Sequence, residues 1–278
     1  MLRLLNIEFQ KLKYNKAAKV ITITYFILIT FIALIASIEF NFAGVKFRIA
    51  DQGIFNFPYI WHFNTYIAAW SKLFLAIVIV SMMANEYSHR TLKQNLIDGL
   101  SKKEFISSKF LTVGVFALIS TLFLFVVSMI LGLSFSDYNE LSIIFSDLEY
   151  VLAYFIKLIG FFAFCMFLGI FVKRSAFALG FLFIWWVVEN IIFALLKFKL
   201  FRGTEIADNI VQFFPLESMG NLITEPFTRL NFIQSAANQL GETFQRDYTV
   251  HWYEILIVLV WTVIFIYLSY YLLKKRDL

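Results

Sequence analysis

A chain of 278 residues that is 60% hydrophobic and 15% charged, with a mean hydropathy of +0.76, has too much apolar surface for a water-facing exterior. That composition excludes an ordinary soluble domain, and the 35 phenylalanines suit lipid-facing packing. The formal charge of +5 needs no nucleic acid to explain it, because membrane proteins concentrate Lys and Arg in their cytoplasmic loops.

Residues 1–19 repeat Leu2, Leu5, Phe9 and Leu12 at helical spacing, with Arg3, Lys11, Lys13, Lys16 and Lys19 around one acid, Glu8. This predicts an amphipathic interfacial helix on an anionic inner leaflet. A signal peptide also starts basic before an apolar run, but here the run ends in Ser37-Ile38-Glu39 without a small-x-small cleavage pattern.

Six apolar runs follow, at 20–38, 64–84, 110–133, 150–172, 176–196 and 253–273. Each is near the roughly 20 residues that cross the hydrocarbon, so the expected fold class is all-α and polytopic, with six transmembrane helices. Trp61, Tyr66 and Trp70 predict an interfacial aromatic belt. Trp185 and Trp186 lie mid-span and read as packing or lining residues, and the single Cys165 as a packing residue.

Between spans two and three, the polar segment 85–109 is far longer than a connection requires. Leu92, Leu96 and Leu100 share one helical face, while Arg90, Lys93, Gln94 and Asp98 point elsewhere. Gly99 predicts a stop, and Ser101 a cap for a second short helix holding Lys103, Glu104 and Lys109. Such an element either docks a soluble partner or lies among the headgroups, and periodicity fits both.

The stretch 134–149 is acidic, and Lys173-Arg174-Ser175 is a tight basic turn. In the long loop 197–252, Ile206, Ile210 and Phe213 or Phe214 share a face, as do Leu216, Gly220 and Ile223, with Pro215 and Pro226 between the pieces. Two short helices are expected there, capping the outer mouth or dipping into the membrane. The proposed cytoplasmic segments hold 15 Lys and Arg against 7 on the other side, which predicts that both termini lie inside.

Three charges fall within spans: Lys72, Lys157 and Glu189, the last beside Asn190. A lone charge at that depth costs at least ~2.5 kcal/mol, so such groups pair or face water. The tight turn between spans four and five predicts that Lys157 meets Glu189, with Lys72 joining them or snorkelling outward. The set is either a structural ion pair or a polar patch that grips a headgroup.

No G-x-x-x-x-G-K-[ST], H-E-x-x-H or Cys/His cluster occurs. His62 and His251 read as outer, and His89 as inner, loop or interface residues. Neither a catalytic site, nor a metal, nor a cofactor of its own is expected.

Taken together, the order of elements resembles the ABC-2 type permeases, the membrane subunits of ATP-driven exporters. The specific part is Asn85-Glu86-Tyr87, then Thr91-Leu92-Lys93, Leu96, Gly99-Leu100-Ser101-Lys102-Lys103-Glu104-Phe105 and Lys109. The ending Lys275-Arg276-Asp277-Leu278 is also similar to a common one in that family. The family often has Gly before that Thr and Pro at the turn, where this chain has Arg90 and Leu100. The resemblance implies a coupling helix carrying Glu86, Tyr87, Arg90, Thr91, Leu92, Leu96 and Leu100. It also implies a cytoplasmic ATPase subunit that binds ATP and Mg, and a second permease chain, identical or related, in the cytoplasmic membrane. The aromatic spans suit an amphipathic or lipid-linked cargo, or simply packing. The rival readings are an ion-coupled carrier, whose matched broken helices are not evident, and a non-transporting sensor or anchor.

Overall fold

The computed structural model describes residues 2–35, 38–42, 45–48, 53–202, 204–230, 233–234 and 247–276. Most of the expected loop segment 231–246 and the last two residues therefore lie outside the described residues. Helix α1 is Leu2–Tyr14 and α2 is Lys16–Ile35. The interfacial helix expected to reach residue 19 is thus broken at Asn15. Its side-chain Oδ1 accepts the Ala18 amide at 3.1 Å and opens the next helix. The apolar side of α1 docks on the body: Phe9 stacks on Phe116 with centroids 5.8 Å apart.

An antiparallel hairpin follows, β1 Glu39–Phe42 with β2 Val45–Arg48, Glu39 facing Arg48. It is confined to the connection between α2 and the next helix, and the architecture is otherwise all-helical as expected. Helix α3 is Tyr59–Ser88, α4 is Thr91–Ile97 and α5 is Lys102–Phe135. The second short helix expected after Ser101 is instead the first turns of α5. Ser101 accepts the Glu104 amide while Glu104 reaches back to the Ser101 amide, a capping box that starts a helix with nothing to stop it until Ser136.

Helix α6 is Leu141–Ile144, α7 is Glu149–Val172, and α8 is Ser175–Leu195, extended by a π-turn over Leu196–Leu200. The two short helices expected in the long loop are α9, Ile206–Val211, and α10, Pro215–Asn221, with Pro215 at the start of α10. Helix α11, Trp252–Lys275, ends the described chain.

Five stretches among the described residues are long and apolar enough to cross a membrane: Tyr59–Ser88, Lys102–Phe135, Leu141–Val172, Ser175–Leu200 and Trp252–Lys275. Helix α7 is their centre and packs against α3, α5, α8, α10 and α11. It can do so because glycines thin it where neighbours cross. A Cβ on Gly169 would lie 2.7 Å from Met83 Cβ, and one on Gly160 would lie 2.7 Å from Val258 Cγ1. Tyr25 of α2 meets Tyr154 of α7 hydroxyl to hydroxyl at 2.9 Å.

The aromatic belt is only partly as expected. Trp70 is exposed, but Trp61 is buried and donates its indole N–H to the Ile144 carbonyl at 2.8 Å. The reason is that α3 starts at Tyr59, so Trp61 belongs to its first turn and faces the core. Cys165 is buried, as its place in an apolar run predicts. Apolar faces of α8 and α11, with Phe183, Ile184, Ile191, Val260 and Val263, point away from the bundle.

Candidate functional site

The segment 85–109 is built around a sharp turn. Arg90 adopts φ 56°, in the left-handed region, and directs the chain from α3 into α4. This is the position where the resembling family often has Gly, and the geometry supplies the reason: a side chain is strained there. Gly99, at φ 98°, ends α4 in a conformation suited to Gly.

The face of α4 carrying Leu92 and Leu96 packs inward; Leu100, expected on the same face, lies beyond Gly99 and outside the helix. Leu92 is buried, and the other two lie half-buried against the core. These leucines brace α4 and leave its opposite side free. That side presents Lys93, Gln94 and Ile97, the last 75% exposed. Ile97 is thus the one exposed apolar residue on the otherwise polar outer side of α4.

Beneath α4 lies a buried ionic junction. Lys109 of α5 is fully buried and donates to Glu8 Oε2 and Glu86 Oε1, each at 2.5 Å. Lys11 of α1 reaches the same Glu86 oxygen at 2.8 Å and Glu8 Oε1 at 3.2 Å. Thr91, the first residue of α4, donates its hydroxyl to Glu86 Oε2 at 2.6 Å. Two carboxylates and two ammonium groups thus balance in charge, joining α1, α3, α4 and α5. Burial acts to lower the Lys11 pKa, but the hydrogen bond to Glu86 and the charges of Glu8 and Glu86 outweigh it and hold it above its ordinary value. Glu86 was expected at this site; Glu8 and Lys11 were not. The available signal was Glu8 itself, the one acid in a basic helix.

Tyr87 faces a second junction. Arg276 Nη1 donates to the Tyr87 hydroxyl at 3.3 Å and to the Ile170 carbonyl at 2.5 Å, and Nη2 to the Phe171 carbonyl at 3.1 Å. It thereby caps the end of α7. Lys102 donates to the carbonyls of Lys274 and Arg276 at 3.3 and 3.0 Å. The basic tail therefore ties α3, α5, α7 and α11 together at one end.

The intramembrane charges share a depth but do not form the expected pair. Lys72, Lys157 and Glu189 lie 16, 15 and 14 residues from Ser88, Val172 and Ser175. That places them about 21–24 Å along their helices from the end carrying α4. Lys157 and Glu189 hold opposite ends of α10 instead of each other. Glu189 accepts the Leu216 and Glu217 amides at its N-terminus, each at 3.1 Å, and the Trp185 indole at 2.6 Å. Lys157 donates to the Gly220 carbonyl at its C-terminus, at 3.1 Å. The negative group sits at the positive end of α10 and the positive group at its negative end. The sequence could not show this, because the partner is backbone. Asn190 stands apart on the exposed side of α8, bonded to the Trp186 carbonyl at 2.8 Å. Glu217 is pushed above the usual carboxylate range by burial and by Asp208, against the pull of Lys157.

His62 is not the loop or interface residue expected. It is buried, stacked on Tyr150 at 4.2 Å, with Nε2 2.9 Å from the Thr224 carbonyl and Nδ1 3.1 Å from Arg229 Nη1. Arg229 can only donate, so Nδ1 accepts and Nε2 carries the proton. The Arg229 guanidinium also lies over Tyr59 at 4.5 Å and Tyr248 at 5.1 Å. This cluster pins the segment after α10 to the start of α3. No metal-binding group of three or more His, Cys, Asp or Glu occurs among the described residues.

Apolar helices of crossing length packed around one central helix define a multi-pass membrane protein. The family model described as ABC-2 family transporter protein matches residues 3–278. The chain belongs to that family and is the permease subunit of an ABC transporter, which works with an ATPase partner. No curated protein matches it.

Proposed function

We propose that this chain is the permease of an ATP-driven exporter and that α4 is its coupling helix. The observation that carries the reading is the Glu8–Lys109–Glu86–Lys11 junction. It welds α4 to α1, α3 and α5, so a push on α4 is delivered to two long helices rather than absorbed by a loop. Lys93, Gln94 and Ile97 meet the ATPase; Leu92, Leu96 and Leu100 hold the helix rigid behind them. ATP and Mg reside on that partner.

In this reading 1–278 is one permease domain. Residues 1–19 contain the interfacial helix, 85–109 is the cytoplasmic coupling segment, and 197–252 is the extracytoplasmic loop. Helix α2, 20 residues and about 30 Å long, is the sixth span. Both termini face the cytoplasm of the cell's inner membrane. The open apolar faces of α8 and α11 meet lipid and a second permease chain, and the cargo is amphipathic or lipid-linked.

The test is Ile97→Asp in the permease purified with its ATPase. Because Ile97 is exposed, folding should change by no more than about 0.5 kcal/mol, while ATPase retention and stimulation are lost. Full retention and stimulation in this variant would return α4 to a merely interfacial role. A purified permease that retains no ATPase would favour the carrier or the sensor.

A further inference from the structure

Two ammonium groups lie inside the bundle with no carboxylate at ion-pair distance among the described residues. Lys157 is 4% exposed, and its hydrogen bond to the Gly220 carbonyl leaves two N–H donors without a partner among the described residues. Lys72 makes no hydrogen bond or ion pair with any described residue; its Nζ rests over the Phe161 ring, 4.5 Å from the centroid. Phe161 is one helical turn beyond Lys157 on the same face of α7, so both amines address one patch of that helix. Among the described residues no carboxylate oxygen comes within 4 Å of either amine. Glu189, the anion at the same depth, is already occupied by α10 amides and Trp185. Glu217 acts on Lys157 only at longer range.

Two cations at one depth, neither with a carboxylate at ion-pair distance among the described residues, repel each other and are costly in hydrocarbon. A resident carboxylate at ion-pair distance would remove that cost, and no described side chain supplies one. The arrangement makes sense if the anion arrives from outside. The Lys72 residue is partly exposed on α3, between Trp70 at 69% and Leu73 at 51% exposure, so its stem borders an apolar outer flank while its Nζ turns inward over Phe161. A molecule with one anionic group and an apolar tail matches both features.

We propose that Lys72 and Lys157 form the subsite for the anionic headgroup, phosphate or carboxylate, of an amphiphilic cargo. Lys72 is the group that engages and releases it, since no described residue hydrogen-bonds or ion-pairs its Nζ. Lys157 contributes its two spare donors while anchoring α10. This deepens the exporter reading and rests on it, so binding is read on the permease alone and coupling separately.

The test uses the permease in phosphatidylcholine nanodiscs, with binding followed by tryptophan fluorescence. The probes are dodecyl phosphate, laurate, dodecylphosphocholine and inorganic phosphate. Dodecyl phosphate and laurate should bind saturably, and dodecylphosphocholine should not. Inorganic phosphate should bind far more weakly than its dodecyl ester; equal binding would make the ligand a free anion and overturn the cargo class. Lys72→Gln should weaken the two anionic amphiphiles about tenfold without lowering the melting midpoint, and Lys72→Arg should restore them. Lys157→Gln should weaken both as well, with a lowered midpoint because α10 loses its anchor. Equal affinity in wild type and Lys72→Gln, or equal binding of anionic and zwitterionic probes, would overturn the subsite. With the ATPase added, dodecyl phosphate should stimulate hydrolysis in wild type and not in Lys72→Gln. Binding without stimulation, in a complex that otherwise hydrolyses ATP, would make the ligand a resident lipid and overturn the cargo assignment. A permease that binds the anions but retains no ATPase would sink the coupling reading and leave the subsite standing.

Discussion

At the scale of residues, the turn and the ionic junction make opposite predictions. Arg90 holds a left-handed backbone with an exposed side chain, so its strain is relieved by removing Cβ. Arg90→Gly should stabilise the permease by roughly 0.5–1 kcal/mol, the relief of strain less the greater freedom of the unfolded chain. Thermal unfolding in detergent measures it; a lowered midpoint would mean that the guanidinium matters more than the backbone. Lys109 is the reverse case. Lys109→Met leaves Glu8 and Glu86 buried with only Lys11 for company, and should cost about 3–5 kcal/mol. Converting Glu8 and Glu86 to Gln in the same chain should recover most of that, because the penalty is the unpaired charge and not the missing bond. If the triple variant unfolds as early as the single one, the junction contributes geometry that neutral amides cannot replace.

Among elements, α10 is the informative one. It has only seven residues, too short to persist alone, and two intramembrane charges grip its ends. A paired Lys157 and Glu189 would survive exchange of their charges. Held as they are, the double variant Lys157→Glu with Glu189→Lys places the wrong charge at both ends of α10. It should be less stable than either single variant, by melting midpoint, and proteolysis near Pro215 should become faster. Restoration of wild-type stability by the exchange would mean that the two side chains do meet. Proximity in the chain order of spans four and five predicted partnership; the structure inserts a helix between the two groups, and the backbone dipole takes the place of the opposite side chain.

For the whole molecule, the prediction concerns sidedness. With Cys165 buried, a single new thiol reports its own exposure. A thiol at Ser101, at the α4–α5 turn, should react with an impermeant reagent only after the membrane is breached. One at Glu140, exposed beside α6, should react in intact cells. The reverse pattern would invert the arrangement of α4 and the α10 cluster relative to the cytoplasm. The distribution of Lys and Arg demands the first outcome, because cationic loops resist translocation.

The sequence by itself determined the membrane class, most of the spans, the capping by Ser101, and the shared helical face of Leu92 and Leu96. These are local matters: apolar length, helical period and cap chemistry act within a few residues. The residues singled out at the coupling segment lie together, and Glu86 and Tyr87 each meet a basic side chain there. Only the tertiary structure decided which charge meets which. Glu8 reaches Lys109 across 101 residues, Arg276 reaches Ile170 across 106, and His62 reaches Arg229 across 167. It also decided that Ile97, not the leucines, faces outward, and that Lys157 and Glu189 answer to the ends of α10. Side-chain period shows that a face is apolar but not what covers it, and a charge within a span shows that it needs a partner but not that the partner is backbone.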